Sequence, residues 1–180
     1  MELKGINALV VGMQKSGIAT AEFLAGRGAR VRATDLKPLE QLPAAREVLE
    51  RLQIPFAVQT PEVFSGCDLI VTSPDVPFDL PPLVEARARG VAVMGEVELA
   101  APYLRGRTIG ITGSNGKTTT TSLTGHILQH AGLPVQVGGN IGTPVTAMIE
   151  TSRDNTWNVL ELSSFQLETI QKFRAHIAVA

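Results

Sequence analysis

Gly113-Ser114-Asn115-Gly116-Lys117-Thr118-Thr119 packs two glycines, a lysine and two threonines into one short run. Glycines let a backbone curl until successive N–H groups point inward at an anion. A helix starting at once behind such a turn adds its own partial positive charge. The lysine of such a turn reaches the β- and γ-phosphates of ATP, and the Thr118 hydroxyl can join a Mg²⁺ shell. The strict pattern G-x-x-x-x-G-K-[ST] asks for glycine at residue 111, where Ile111 stands between Gly110 and Gly113. Strand, loop and helix still follow in the required order. The segment therefore reads as an ATP phosphate loop rather than a glycine-rich turn with a solvent lysine.

Two further constellations carry chemistry. Asn158-Val159-Leu160-Glu161 is an apolar strand that delivers a carboxylate at its end, where α/β sheets place ligands. Glu161 can hold the Mg²⁺ that bridges ATP oxygens, or it can be an edge charge or helix cap. Near the start, Val10-Val11-Gly12-Met13-Gln14-Lys15-Ser16-Gly17 forms a glycine turn, with Asp35 closing the next strand. The frame is that of a dinucleotide fingerprint, but Gln14 replaces the glycine that admits a pyrophosphate, which argues against NAD. Two readings stand here. Lys15, Ser16 and a helix N-terminus hold a mononucleotide diphosphate while Asp35 accepts from base or ribose, or the turn belongs to a Rossmann-like domain without ligand.

The elements that position these residues alternate. Strands are expected at Asn7–Val11, Arg30–Thr34, Phe56–Val58, Leu69–Thr72 and Val91–Met94, with helical patterns between them. Such βαβ units give an open parallel sheet. Gly95 to Arg107 reads as a connector. The alternation then restarts with a strand at Thr108–Thr112, a helix at Lys117–Ala131 and a strand at Val135–Val137. A helix at Pro144–Ile149, a strand at Trp157–Leu162, a helix at Gln166–Phe173 and a last strand from Ile177 complete it. The fold class is α/β: a Rossmann-like open-sheet domain over residues 1–95, then the first part of a P-loop-type domain over 96–180. Because the chain stops inside a β/α pattern, it is read as a fragment.

Bulk properties exclude several classes. With 180 residues, 44% hydrophobic, and net charge −1, the chain can bury a core but offers no nucleic-acid groove. No apolar run approaches the ~20 residues of a membrane span, and the start lacks a signal-peptide pattern. Cys67 cannot form an internal disulfide, which fits a reducing cytoplasm, and reads as a buried structural thiol. His126 and His130 stand four apart without a third ligand and read as a polar helix face. His176 reads as structural, and Trp157 and Phe165 as core or pocket wall.

Together these residues resemble the Mur ligase family. The likeness rests on Gly12…Lys15-Ser16-Gly17, Ser73-Pro74, Gly95-Glu96-Val97-Glu98, Thr112–Thr119, Gly139-Asn140-Ile141-Gly142 and Glu161-Leu-Ser-Ser-Phe-Gln-Leu-Glu168. It implies an ATP-dependent ligase that makes an amide bond through an acyl phosphate. Asn115 favours the members that add D-glutamate to UDP-N-acetylmuramoyl-L-alanine, since L-alanine-adding members carry His there. By the resemblance, Lys15, Ser16, Asp35 and Ser73 lie on the UDP side. Gly113, Ser114, Asn115, Gly116, Lys117, Thr118 and Thr119 hold ATP, and Lys117 and Glu161 are catalytic. Thr118 and Glu161 hold magnesium, while Asn140, Ser163 and Gln166 face the muramoyl substrate or the metal shell. It further implies a monomeric cytoplasmic enzyme of peptidoglycan synthesis, serving cell wall, cell shape and cell division, with no nucleic-acid partner or membrane insertion. Asp75 departs from the family's glycine, and an added carboxylate would repel a diphosphate unless it faces base or solvent. The family's later histidine, carbamylated lysine, adenine pocket and third domain lie past Ala180, so these residues alone are expected not to ligate.

Overall fold

The computed structural model describes residues 2–180. The chain is α/β and divides between Glu96 and Val97 into two compact units, each built on its own parallel sheet.

The first unit runs β1 (Asn7–Val11), α1 (Lys15–Gly26), β2 (Arg30–Asp35), α2 (Pro43–Arg51), β3 (Phe56–Val58), β4 (Leu69–Thr72), α3 (Pro81–Ala88) and β5 (Ala92–Gly95). Its strands lie in the order β3-β2-β1-β4-β5. The central strands β1 and β4 are covered on both faces, which is why they read as unbroken apolar runs. Leu9 and Val11 pack with Ile70, Val93, Leu83 and Ala86 on the α3 side. Alternation sends Ala8 and Val10 to the other face, where α1 lies. The chain progresses outward in one direction from β1 and in the other from β4. The connections therefore diverge at the C-terminal ends of these two neighbours, where the Gly12 turn and the Ser73 loop meet.

The second unit follows α4 (Glu96–Ala100) with β6 (Arg107–Ile111), α5 (Lys117–His130), β7 (Val135–Gly139), α6 (Val145–Met148), β8 (Trp157–Glu161), α7 (Ser164–Glu168) and β9 (Ile177–Val179). The order is β7-β8-β6-β9. Ile109, Ile111 and Val159 form its core with Leu128 of α5 and the partly buried Val135, Val137 and Trp157. Gly125 of α5 sits against Val137, whose side chain would overlap an added Cβ.

Three expectations need correction. The connector after Gly95 contains α4 and a 3₁₀ turn at Ala101–Tyr103. The helix expected at Gln166–Phe173 instead runs Ser164–Glu168. Its start is fixed by a capping box, in which Ser163 Oγ accepts from Gln166 N and the Gln166 side chain accepts from Ser163 N. It stops early because the amides of Thr169 and Ile170 tighten onto the Gln166 and Leu167 carbonyls and Thr169 Oγ1 donates to the Gln166 carbonyl at 2.8 Å. Beyond it the N–H groups of Gln171, Lys172 and Phe173 donate to the Glu98 carboxylate, at 3.0, 2.9 and 3.0 Å. Phe165 is no core residue: it is 60% exposed on the outer face of α7. The remaining elements shift by a residue or two at their ends, and β7 extends to Gly139, so Asn140 stands directly beyond the sheet.

Candidate active site

In the first unit, Gly12 takes φ +86°, turning the chain sharply out of β1. The turn is then fastened from several sides. Asp35 accepts from Met13 N at 2.6 Å through one oxygen and from Lys37 N at 2.9 Å through the other. Ser73, buried at the end of β4, donates its hydroxyl to the Gly12 carbonyl at 2.7 Å. Gly17 lies so close that a Cβ there would overlap the Gly12 carbonyl oxygen. Asp35 and Ser73 are thus frame residues of the turn. Lys15 is exposed and Ser16 half-buried at the start of α1, which has neither a side-chain cap nor an acidic residue in its first turn. The N-terminus of this helix keeps its positive end facing outward. Asp75 is exposed, in keeping with a carboxylate that faces solvent.

In the second unit, the register aligns Ile111, Glu161 and Gly139 across β6, β8 and β7. The residues just beyond these three must therefore converge. Side-chain alternation places Glu161 on the same face as Val159, the face that α5 covers. There Thr118 Oγ1, in the first turn of α5, donates to Glu161 Oε2 at 2.7 Å. Asn140 Nδ2 donates to Glu161 Oε1 at 2.8 Å, and Asn140 N to the Glu161 carbonyl at 2.9 Å. Glu161 is 1% exposed, with neutral donors on both oxygens and no ion-pair partner among the described residues. It is not a helix cap. A buried carboxylate so arranged favours a cation next to it.

The loop itself is open. Gly113 takes φ +130° and Gly116 φ +75°, conformations that a side chain would resist. Ser114, Asn115, Gly116, Thr118 and Thr119 are exposed, and α5 begins with no side-chain cap and no acid in its first turn. Lys117 folds back to donate to the Gly113 carbonyl at 2.7 Å. An ammonium has three donors, so this bond leaves two for an anion in the loop. Ser163 and Gln166 close their capping box at the start of α7, just past Leu162. Gln166 is buried, and its Nε2 has no partner among the described residues.

His126 and His130 are exposed with ring centroids 4.2 Å apart, and no group of three metal-ligating side chains occurs among the described residues. His176 Nδ1 accepts from Thr108 N at 3.1 Å, tying the entry of β9 to β6. Cys67 is buried beside Arg32, and desolvation pushes its thiol pKa up despite that guanidinium. No helix among the described residues is long and apolar enough to cross a membrane. Glu98, present only as part of the family likeness, received no role from the sequence, because its partners are backbone amides, which carry no residue-type signal.

Residues 6–95 match the family described as Mur ligase MurD-like, N-terminal domain, and residues 111–180 match the Mur ligase middle domain. The UDP-N-acetylmuramoylalanine--D-glutamate ligase of Solibacter usitatus is 76% identical over 180 residues, covering 100% of this chain and 40% of the relative. The protein of the same name from Acidobacterium capsulatum is 53% identical over 183 residues, covering 99% of this chain and 39% of the relative. The chain thus spans about 40% of the length of the curated relatives it matches. Among solved structures, the UDP-N-acetylmuramate:L-alanyl-gamma-D-glutamyl-meso-diaminopimelate ligase from Neisseria meningitides aligns with TM-score 0.58 and 17% identity, over 98% of this chain and 61% of that one. The UDP-N-acetylmuramate-alanine ligase MurC of Thermotoga maritima aligns with TM-score 0.51 and 23% identity, over 88% and 37%. At such identities the common feature is the fold.

Proposed function

This chain belongs to the Mur ligase family, and we propose that its two domains serve the joining of D-glutamate to UDP-N-acetylmuramoyl-L-alanine with ATP, in peptidoglycan precursor synthesis. The choice of D-glutamate leans on the names of relatives that match along the whole chain. The nucleotide half leans on one observation, the Thr118–Glu161–Asn140 cluster beside an open glycine loop. The reading carries with it a monomeric cytoplasmic enzyme supplying the cell wall.

In this reading the first domain holds the UDP group over the outward-facing N-terminus of α1, with Lys15 and Ser16 at the diphosphate. Asp35 and Ser73 keep the turn in shape, and a free lone pair on Asp35 remains for the base side. In the second domain the loop amides and Lys117 receive the β- and γ-phosphates, and Ser114, Asn115 and Thr119 line the entrance. A substrate carboxylate oxygen attacks the γ-phosphorus, ADP leaves, and an acyl phosphate results. The amino nitrogen of D-glutamate then attacks the acyl carbon, inorganic phosphate leaves, and the nitrogen gives up its proton. A carboxylate is a poor electrophile, so the phosphoryl group is needed as a leaving group. The loop contributes positioning and charge neutralisation. Thr118 Oγ1 and the Glu161 carboxylate are hard oxygen donors that would hold Mg²⁺, and Asn140 orients that carboxylate. When bound, Mg²⁺ supplies further neutralisation of charge on the phosphates. In this reading Ser163 and Gln166, at the start of α7, orient the muramoyl group.

The test is phosphate release by the full-length protein. Release that needs both UDP-N-acetylmuramoyl-L-alanine and D-glutamate is expected. Release with a different amino acid would move the chain to another Mur-type ligase. ATP hydrolysis indifferent to both substrates would leave only a nucleotide-dependent module.

A further inference from the structure

Glu98 is a buried acid with no part in the chemistry above, 8% exposed on the five-residue helix α4. Its two carboxylate oxygens gather three successive backbone amides: Oε2 accepts from Gln171 and Phe173, and Oε1 from Lys172. A charge in such a place is tolerated only if its hydrogen bonds are complete, and charge-assisted bonds to amides are strong and directional. The segment so held has few hydrogen bonds of its own, since α7 ends at Glu168 and β9 begins at Ile177.

The path of this segment matters to the phosphate loop. Directly after it, His176 N donates to the Thr108 carbonyl at 2.9 Å while Thr108 N donates to His176 Nδ1. Ala175 lies against Gly110, where an added Cβ would stand 3.3 Å from it. β9 then pairs with β6 from Ile109 to Ile111, and Thr112 N donates to the Val179 carbonyl at 2.9 Å. Thr112 is the residue that leaves the sheet into Gly113. β9 is three residues long and pairs with β6, so the path of the segment that leads into it bears directly on its register. We propose that Glu98 is a positioning residue for nucleotide binding: its grip on residues 171–173 sets β9 against β6, and β9 in turn sets the entry of the phosphate loop. This rests on reading that loop as the ATP site.

The chemistry of Glu98→Gln makes the test sharp. Whichever way the amide turns, its NH₂ replaces one carboxylate oxygen and faces at least one N–H donor. In the full-length protein the variant is expected to raise the dissociation constant of a fluorescent ADP analogue and the KM for ATP by about tenfold or more. The KM for the UDP-substrate should stay near that of the parent, and amide exchange at Gln171, Lys172 and Phe173 should accelerate. Glu98→Asp keeps the charge and both acceptors on a shorter arm. It should restore part of the nucleotide affinity, and it carries the test if Glu98→Gln does not fold. Faster exchange with unchanged nucleotide affinity would reduce Glu98 to a structural residue, and unchanged exchange would remove the grip altogether. Parent protein that fails to bind the ADP analogue would instead overturn the ATP-site reading.

Discussion

The glycine turns after β1 and after β6 start from the same ingredients and end in opposite states. Each follows a buried parallel strand, bends at a positive-φ glycine and leads into a helix with no side-chain cap and no acid in its first turn. The first is fastened from within: Asp35 takes the Met13 amide, Ser73 takes the Gly12 carbonyl, and Gly17 lies against that same carbonyl. The second is left open. An added Cβ would meet nothing closer than 3.7 Å at Gly113 or 4.0 Å at Gly116, and the residues between are exposed. A turn whose polar groups are already bonded is a rigid frame that presents side chains and a helix end. One with unused amides is itself the binding surface.

Lys117→Ala tests the open turn and should have the largest effect. Loss of one preorganised cation at a phosphoryl group costs about 10²–10³ in rate, so phosphate release should fall by that factor while the urea midpoint stays put. A drop in the midpoint equal to the loss of activity would make Lys117 a structural clip to Gly113. Gly17→Ala tests the fastened turn. The new methyl would overlap Gly12 backbone, and overpacking of this kind costs about 1–3 kcal/mol, read from urea unfolding. An unchanged midpoint would mean that the frame is softer than its geometry suggests. Asp35→Ala deletes the acceptor for the Met13 and Lys37 amides. Because the site is partly open to water, a stability loss of about 1 kcal/mol is expected, with UDP affinity falling in parallel under calorimetric titration. Smallest is Gly26→Ala, near the end of α1, where nothing lies within 4 Å of an added Cβ. There the methyl should stabilise by up to about 1 kcal/mol, and Tm should rise slightly. A Tm loss as large as that of Gly17→Ala would show that the contrast lies in α1 as a whole, not in the turn.

Much of this was legible in the residues. β1 and β4 are apolar runs because parallel strands are covered on both faces, and the limits of β1, β4, β6 and β8 fell within a residue or two of the observed ones. The open turn after β6 was legible because its glycines at 113 and 116 mark backbone that must take positive φ. Glu161 was half-legible, since strand-end placement suggested a ligand but left a cap or edge charge open. α4 was missed because five residues are too few to show a period. The end of α7 was misplaced because Thr169 turns the chain back onto the Gln166 carbonyl, a weak signal in sequence, and a distant carboxylate then takes the amides that follow.

By itself, then, the sequence determined the local pieces: which runs become strands, where glycine lets the chain turn back, and which side chains could meet a phosphate. These follow from short-range sterics and burial and need no distant partner. Only the tertiary structure decided that Thr118 and Asn140 reach Glu161 across separations of 43 and 21 residues, and that Asp35 and Ser73 serve as braces. The reason is physical: strand order and register come from packing the whole sheet, and a carboxylate's role is set by whichever donors that packing brings to it.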